Sequence, residues 1–135
     1  MRFLVVDDDF ETRILVQKLL RPFGDVDVAT DGEEGVECFV QALKEKEPYD
    51  LITMDILMPN IDGQQALREI REIEKEKNIS PSTRVIMISG LDDNEEVHDA
   101  FFLGEAISYI VKPIKREALL EEIAKLGVEL PAGKA

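Results

Sequence analysis

The groups able to do chemistry in this 135-residue chain stand at the ends of short apolar runs. Asp7-Asp8-Asp9 follows Phe3-Leu4-Val5-Val6, Asp55 follows Leu51-Ile52-Thr53-Met54, Ser89 follows the run from Arg84 to Ile88, and Lys112-Pro113 follows the run from Ile107 to Val111. Carboxylates gathered on one edge repel: at an effective dielectric near 20, two charges about 4 Å apart cost about 4 kcal/mol. A small divalent cation offsets that cost. Magnesium suits such a site, because it prefers one or two carboxylates, several waters and a phosphate oxygen to an all-protein cage. The Lys112 ammonium can offset further carboxylate charge and hold a phosphoryl oxygen, and the Ser89 hydroxyl can donate a hydrogen bond to it. Acidic pair, acceptor aspartate, hydroxyl and lysine together suit phosphoryl transfer to a carboxylate.

These groups meet only if the runs that carry them lie side by side. Arg2 to Val6, Val26 to Ala29, Leu51 to Met54, Arg84 to Ile88 and Ile107 to Val111 are apolar or β-branched, the pattern of strands buried on both faces. Between them the period is helical. Thr12, Leu15, Val16, Leu19, Leu20 and Phe23 fall on one stripe, as do Val36, Phe39, Val40 and Leu43. Ala66, Leu67, Ile70 and Ile73 mark a third helix, Val97, Ala100 and Phe101 a shorter fourth, and Leu119, Ile123 and Leu126 a fifth. Asp31 with Glu34 suits a capping-box-like start, Asp62-Gly63 precedes the third helix, Asp93-Asn94 suits the start of the fourth, and Gly127 can end the fifth. Five β-then-α units predict an α/β fold with a parallel sheet, right-handed crossovers and helices on both faces. In that architecture chemistry gathers at the carboxyl ends of the strands, where Asp7, Asp8, Asp55, Ser89 and Lys112 stand. Thr30-Asp31-Gly32, after the second strand, reads as a turn and helix cap.

Length and composition fit one globular domain, which buries roughly 68% of its unfolded surface. No run of about 18 apolar residues and no signal peptide is visible. The single cysteine, Cys38, excludes an internal disulfide, suits a reducing cytoplasm, and sits mid-helix among apolar neighbours rather than in a catalytic setting. A formal net charge of −13 argues against nucleic acid and anionic membranes and for protein partners.

The segments Phe3-Leu4-Val5-Val6-Asp7-Asp8, Met54-Asp55-Ile56-Leu57-Met58-Pro59, Met87-Ile88-Ser89-Gly90 and Tyr109-Ile110-Val111-Lys112-Pro113 resemble, in order and spacing, the four signature segments of CheY-like receiver domains of response regulators. The resemblance covers about residues 1–127 and leaves 128–135 as a short tail without an output domain. It implies a doubly wound, flavodoxin-like (βα)5 domain with strand order 2-1-3-4-5. It further implies that Asp55 is the phosphoacceptor in two-component signalling, Asp8 a direct Mg2+ ligand, Asp7 a ligand through water, and the Leu57 backbone carbonyl a third protein ligand. Lys112 would contact the phosphoryl group, Ser89 would swing toward it, and Tyr109 would move inward behind Ser89. The Lys112-Pro113 bond would be cis. Implied partners are a sensor histidine kinase or phosphotransfer protein, and a downstream protein target contacted by the fourth helix, fifth strand and fifth helix. The chain would act as a cytoplasmic monomer or as a phosphorylation-dependent homodimer, catalysing only its own phosphorylation and dephosphorylation.

Some positions depart from the family pattern. Gly104-Glu105-Ala106 carries one residue more than the usual Gly-Ala before the fifth strand. Lys44 to Pro48 and Glu74 to Pro81 read as solvated helix ends and loops, Asp9 as an N-cap or a surplus charge near the metal, and His98 as a surface residue. Phe101, Phe102 and Leu103 mix core positions with groups suited to a partner-binding face. Leu57 and Leu91 are apolar where some relatives place side chains that guide water, which predicts slow self-dephosphorylation.

Taken singly, aspartate pairs, Ser-Gly and Lys-Pro after strands are ordinary turn residues, and Tyr109 could be plain packing. A phosphatase of the haloacid dehalogenase type also uses a strand-end aspartate, and Asp7-Asp8-Asp9 offers its Asp-x-Asp. That family, however, wants Thr or Val where Glu11 stands, and its lysine before the late acidic pair, whereas Lys112 follows Asp92-Asp93. No Gly-x-Gly-x-x-Gly or Gly-Lys-Ser/Thr loop supports nucleotide binding. A receiver belonging to a larger regulator is the remaining alternative.

Overall fold

The computed structural model describes residues 1–58, 60–90 and 107–131. Strand β1 (Arg2–Val6) leads to helix α1 (Phe10–Leu20) and a 3-10 turn (Arg21–Phe23), then β2 (Asp25–Ala29) and α2 (Gly32–Lys44). They are followed by β3 (Leu51–Asp55), α3 (Gly63–Glu76), β4 (Arg84–Ser89), β5 (Ile107–Val111) and a C-terminal helix, here α4 (Arg116–Lys125). The predicted fourth helix, with Val97, Ala100 and Phe101, lies outside the described residues. So do Leu91, Asp92 to Asn94, His98, Phe102, Leu103 and Gly104 to Ala106.

All pairings are parallel and the strand order is β2-β1-β3-β4-β5, as the family resemblance implies. Chain direction across the sheet reverses after β2. The β1–α1–β2 unit steps one way and the units from β3 onward step the other, which puts helices on both faces. Period-two alternation then divides the core. Leu4, Val6, Ile52, Met54, Val85 and Met87 pack on one face with Phe39 and Ala42 of α2 and Ala66, Leu67 and Ile70 of α3. Phe3, Val5, Leu51, Ile86, Ile88 and Ile110 pack on the other with Val16 and Leu20 of α1 and Leu119 and Ile123 of α4. Val128 and Leu130 also pack against this second core, beyond a turn at Gly127 with φ +81°, a conformation glycine adopts without strain. Among the described residues no helix is long and apolar enough to cross a membrane.

Some expectations need correction. The second and fifth strands are not buried on both faces: β2 and β5 are the edges of the sheet, with only Ala29 buried in β2 and only Ile110 in β5, because among the described residues neither has a strand on its outer side. Leu15, counted in the apolar stripe of the first helix, is exposed, and the stripe narrows to Val16 and Leu20 with their half-buried neighbours. Glu74 is not a solvated helix end. Its carboxylate is buried, accepts from the Thr83 backbone N–H at 2.6 Å and from Arg71 Nη1 at 2.6 Å, and so ties the end of α3 to the start of β4. A buried carboxylate needs such donors.

Helix starts follow the sequence. Asp9, Asp31 and Asp62 are the N-caps of α1, α2 and α3, accepting from the backbone N–H of Thr12, Glu34 and Gln65. The Glu34 carboxylate does not close a reciprocal box with Asp31 but accepts from Thr30 Oγ1 at 2.9 Å.

Candidate phosphoryl and metal site

The reversal of strand order opens a crevice at the carboxyl ends of β1 and β3, which are neighbours. Asp7 and Asp8 follow β1 and Asp55 ends β3, so the three carboxyls converge by topology. Each offers one oxygen, and these oxygens all lie within 4.8 Å of one another. Asp7 and Asp55 are buried while Asp8 is exposed.

Asp7 is held on several sides. Its backbone N–H donates to the Ala29 carbonyl at 3.1 Å, and its Oδ1 accepts from the Asp9 N–H at 2.8 Å. Its carbonyl accepts from Arg13 Nη1 at 2.9 Å. Its Oδ2 is buried without a hydrogen-bond partner, and the nearest compensating charge is Lys112 Nζ at 3.9 Å. The same ammonium lies 3.7 Å from Asp55 Oδ2. Lys112 reaches both acids from the end of β5, where its own N–H donates to the Ser89 carbonyl at 2.8 Å and the bond to Pro113 is cis.

The electrostatics record the crowding. Burial, then repulsion from Asp7, pushes the Asp55 carboxyl up from 3.8 to about 7, against the pull of Lys112. Burial also pushes Asp7 up, partly offset by the Asp9 amide and by Lys112. Asp9 moves the other way because Thr12 donates to it through hydroxyl and backbone, which marks it as a helix cap rather than a further acid of the cluster.

Backbone packing seats the acceptor. The Ile56 N–H donates to the Ile88 carbonyl at 3.0 Å and the Gly63 N–H to the Ile56 carbonyl at 2.8 Å, so the loop after β3 folds back over its own strand. A Cβ at Gly63 would lie 2.2 Å from the Asp55 carbonyl oxygen, which only glycine avoids. Asn60, at φ 70°, reaches from this loop to Asp31 at 3.2 Å.

The remaining predicted residues sit close by. Ser89 ends β4, buried, with its hydroxyl lacking a hydrogen-bond partner. Tyr109, on the neighbouring strand, is half-buried and packs on the same sheet face as Met87, two residues before Ser89. Leu57 turns its side chain to solvent. Sequence reasoning missed Arg13, whose position in the first turn of α1 lets it reach back toward β1, and Asn60, whose only sequence signal is tolerance of left-handed backbone.

The response regulator receiver domain model matches residues 3–124. This chain belongs to the receiver domain family. It is 41% identical over 128 residues to "Chemotaxis protein CheY" of Treponema pallidum, covering 93% of this chain and 81% of the relative. Its fold is similar to the receiver domain of the Arabidopsis thaliana histidine kinase CKI1, complexed with Mg2+ and BeF3−. There the TM-score is 0.77 and the identity 29%, with 93% of this chain and 89% of that one covered. It is also similar to CheY in a CheX-CheY-BeF3-Mg+2 complex from Borrelia burgdorferi, with TM-score 0.76 and 32% identity over 96% of this chain and 90% of that one. The receiver is thus a two-component signalling domain of CheY type. Its acidic cluster fits a hard divalent cation: every available donor is a carboxylate oxygen, one oxygen is buried and unpartnered, and one of the three carboxyls, Asp8, stands open to solvent.

Proposed function

We propose that this receiver is a phosphorylation-dependent switch in which Asp55 accepts the phosphoryl group. The observation that carries the reading is the buried Asp55 carboxylate, faced by Lys112 and flanked by two further acids at the strand-order reversal. A carboxylate oxygen of Asp55 attacks the phosphorus of a phosphohistidine on a sensor kinase or phosphotransfer protein. The O–P bond forms, the P–N bond breaks, and the departing imidazole nitrogen takes a proton from solvent.

Asp8, Asp7 through water, Asp55 and the Leu57 carbonyl would hold Mg2+, which when bound neutralises phosphoryl oxygens and relieves carboxylate repulsion. Lys112 orients the phosphoryl group and keeps cationic charge beside it after transfer. Solved relatives crystallised with Mg2+ and BeF3− support this assignment.

Phosphorylation adds about −1.5 to −2 charges and three acceptor oxygens. The Ser89 hydroxyl, buried and unpartnered, gains an acceptor by turning toward them. Its departure opens space on the sheet face where Tyr109 packs, and the surface of β5 and α4 shifts toward a state that binds a protein target, as monomer or homodimer. The magnesium-dependent phosphatase alternative fares worse, because the second acid of its Asp-x-Asp, Asp9, is committed to capping α1.

Intact mass after incubation with a small phosphodonor and Mg2+ tests the proposal. One base-labile phosphoryl group, absent from Asp55→Asn and from a chelator control, is the expected result. Phosphate release that survives Asp55→Asn but stops with Asp7→Asn would overturn it in favour of a hydrolase.

A further inference from the structure

We propose that Arg13 is a positioning residue for the metal edge, fixing the peptide between Asp7 and Asp8 and through it the direction of the Asp8 carboxylate. The inference rests on the Mg2+ reading of the acidic cluster above. Arg13 stands four residues after the N-cap Asp9, and its Nη1 donates to the Asp7 carbonyl at 2.9 Å. The same guanidinium lies over the Phe10 ring, 5.5 Å from its centre. That stack restrains a long side chain that would otherwise sample many rotamers.

The consequence follows from peptide planarity. A carbonyl cannot swing without turning the whole plane that leads to the next Cα, and here the next residue is Asp8. Asp8 is exposed, so its direction is set by the backbone beneath it rather than by packing. The rest of the turn is already tied: the Asp7 N–H to Ala29 and the Asp7 Oδ1 to the Asp9 N–H. The Arg13 bond holds the carbonyl end of that peptide, while the Asp9 amide, by occupying Oδ1, leaves Asp7 Oδ2 as the atom facing Lys112.

Arg13 also carries positive charge, and the two roles predict opposite signs. As a charge alone it repels a cation, so its removal tightens Mg2+ binding. As a positioning group it preorganises a ligand, so its removal weakens binding. The half-exposed guanidinium is screened by solvent, and partners that orient metal ligands are worth roughly 10- to 100-fold in affinity, so positioning dominates.

The test is a Mg2+ titration of the full chain, labelled with 15N and followed by the amide shifts of Asp8 and Asp9, with thermal unfolding in chelator as the fold control. Arg13→Met is expected to raise the Mg2+ Kd on the order of tenfold with its chelated unfolding temperature near wild type, and Arg13→Lys, which keeps a donor, to recover part of the loss. If Arg13→Met does not fold, Phe10→Leu decides: it removes only the stack and is expected to weaken binding by a smaller factor. A wild-type Kd that is unchanged or tightened by Arg13→Met, or by Phe10→Leu where that variant decides, overturns the proposal. A wild type with no Mg2+ response overturns the metal reading itself, and this proposal with it.

Discussion

Replacing Asp55 with Asn should stabilise the metal-free receiver, and the gain should grow with pH. Asp55 is buried, and its carboxyl is raised from 3.8 to about 7 by burial first and by Asp7 second. Between those values the folded state binds more protons than the unfolded one, so stability is fully present below the unfolded value and is lost as pH rises through the folded one. A rise of roughly three pH units corresponds to about 4 kcal/mol when the loss is complete. Asn removes the charge at nearly constant shape but also gives up the attraction of Lys112 at 3.7 Å, and Asp7 shares the proton. A net gain of about 1 to 3 kcal/mol is therefore expected at about pH 8, or roughly 3 to 10 °C in Tm. The assay is urea and thermal denaturation of both proteins in chelator at about pH 4 and about pH 8. Wild type should weaken between the two, the variant much less, and added Mg2+ should narrow the gap by stabilising wild type. An Asp55→Asn protein no more stable than wild type at the higher pH would refute the reasoning, since the buried carboxylate would then carry no unrelieved repulsion.

Thr53 lies on β3 two residues before Asp55, buried, with its hydroxyl unpartnered; Thr53→Val should raise stability by about 0.5 to 2 kcal/mol in urea melts, and a loss would reveal a partner for that hydroxyl. Glu74→Ala should cost about 2 to 4 kcal/mol in the same assay, because it strips the buried Thr83 N–H and Arg71 of their acceptor; a cost below about 0.5 kcal/mol would mean water replaces it. Leu57 is exposed beside the acceptor and offers no hydrogen bond to an incoming water, so Leu57→Asn should speed phosphoryl loss several-fold in a mass-spectrometric time course. An unchanged rate would show that another residue governs water access.

What could be read in advance depended on how local the cause was. Strands β1, β3 and β4 were legible because burial on both faces leaves continuous apolar runs, and three helix starts were legible because an aspartate must serve the first N–H groups. The exposure of β2 was not legible in its own residues, since Asp25 to Ala29 becomes an edge only through the strand order, which the family resemblance supplied and the apolar run did not. Glu74 was misread for a similar reason: an acid at a helix end looks solvated until β4 brings the Thr83 N–H to it. At the site, Asp7, Asp8, Asp55, Ser89 and Lys112 were legible as chemical groups at strand ends, whereas the bond from Arg13 to the Asp7 carbonyl has no signature in side-chain type. The second cis bond, Ser80-Pro81, was likewise unmarked among loop prolines.

Under the proposed function, the crowding that costs the metal-free receiver stability is also what would let it switch. Asp7 and Asp55 stay beside each other because β1 and β3 are paired strands, and a rearrangement that separated them would break that pairing and open the core around Val5 and Met54. The fold therefore sustains the repulsion instead of relaxing it. A ligand that brings positive charge to this edge gains the relief as binding free energy, and a phosphoryl group added afterwards recruits groups that the resting site leaves uncompensated. Lys112 is tethered through its backbone to Ser89, so the ammonium that faces Asp55 and the unpartnered hydroxyl of β4 respond through one short connection. In the proposed switch, charge added at Asp55 would reach β4 and β5 through the Lys112 ammonium and the bond from its N–H to the Ser89 carbonyl, the connection that a surface on β5 and α4 would need to report it.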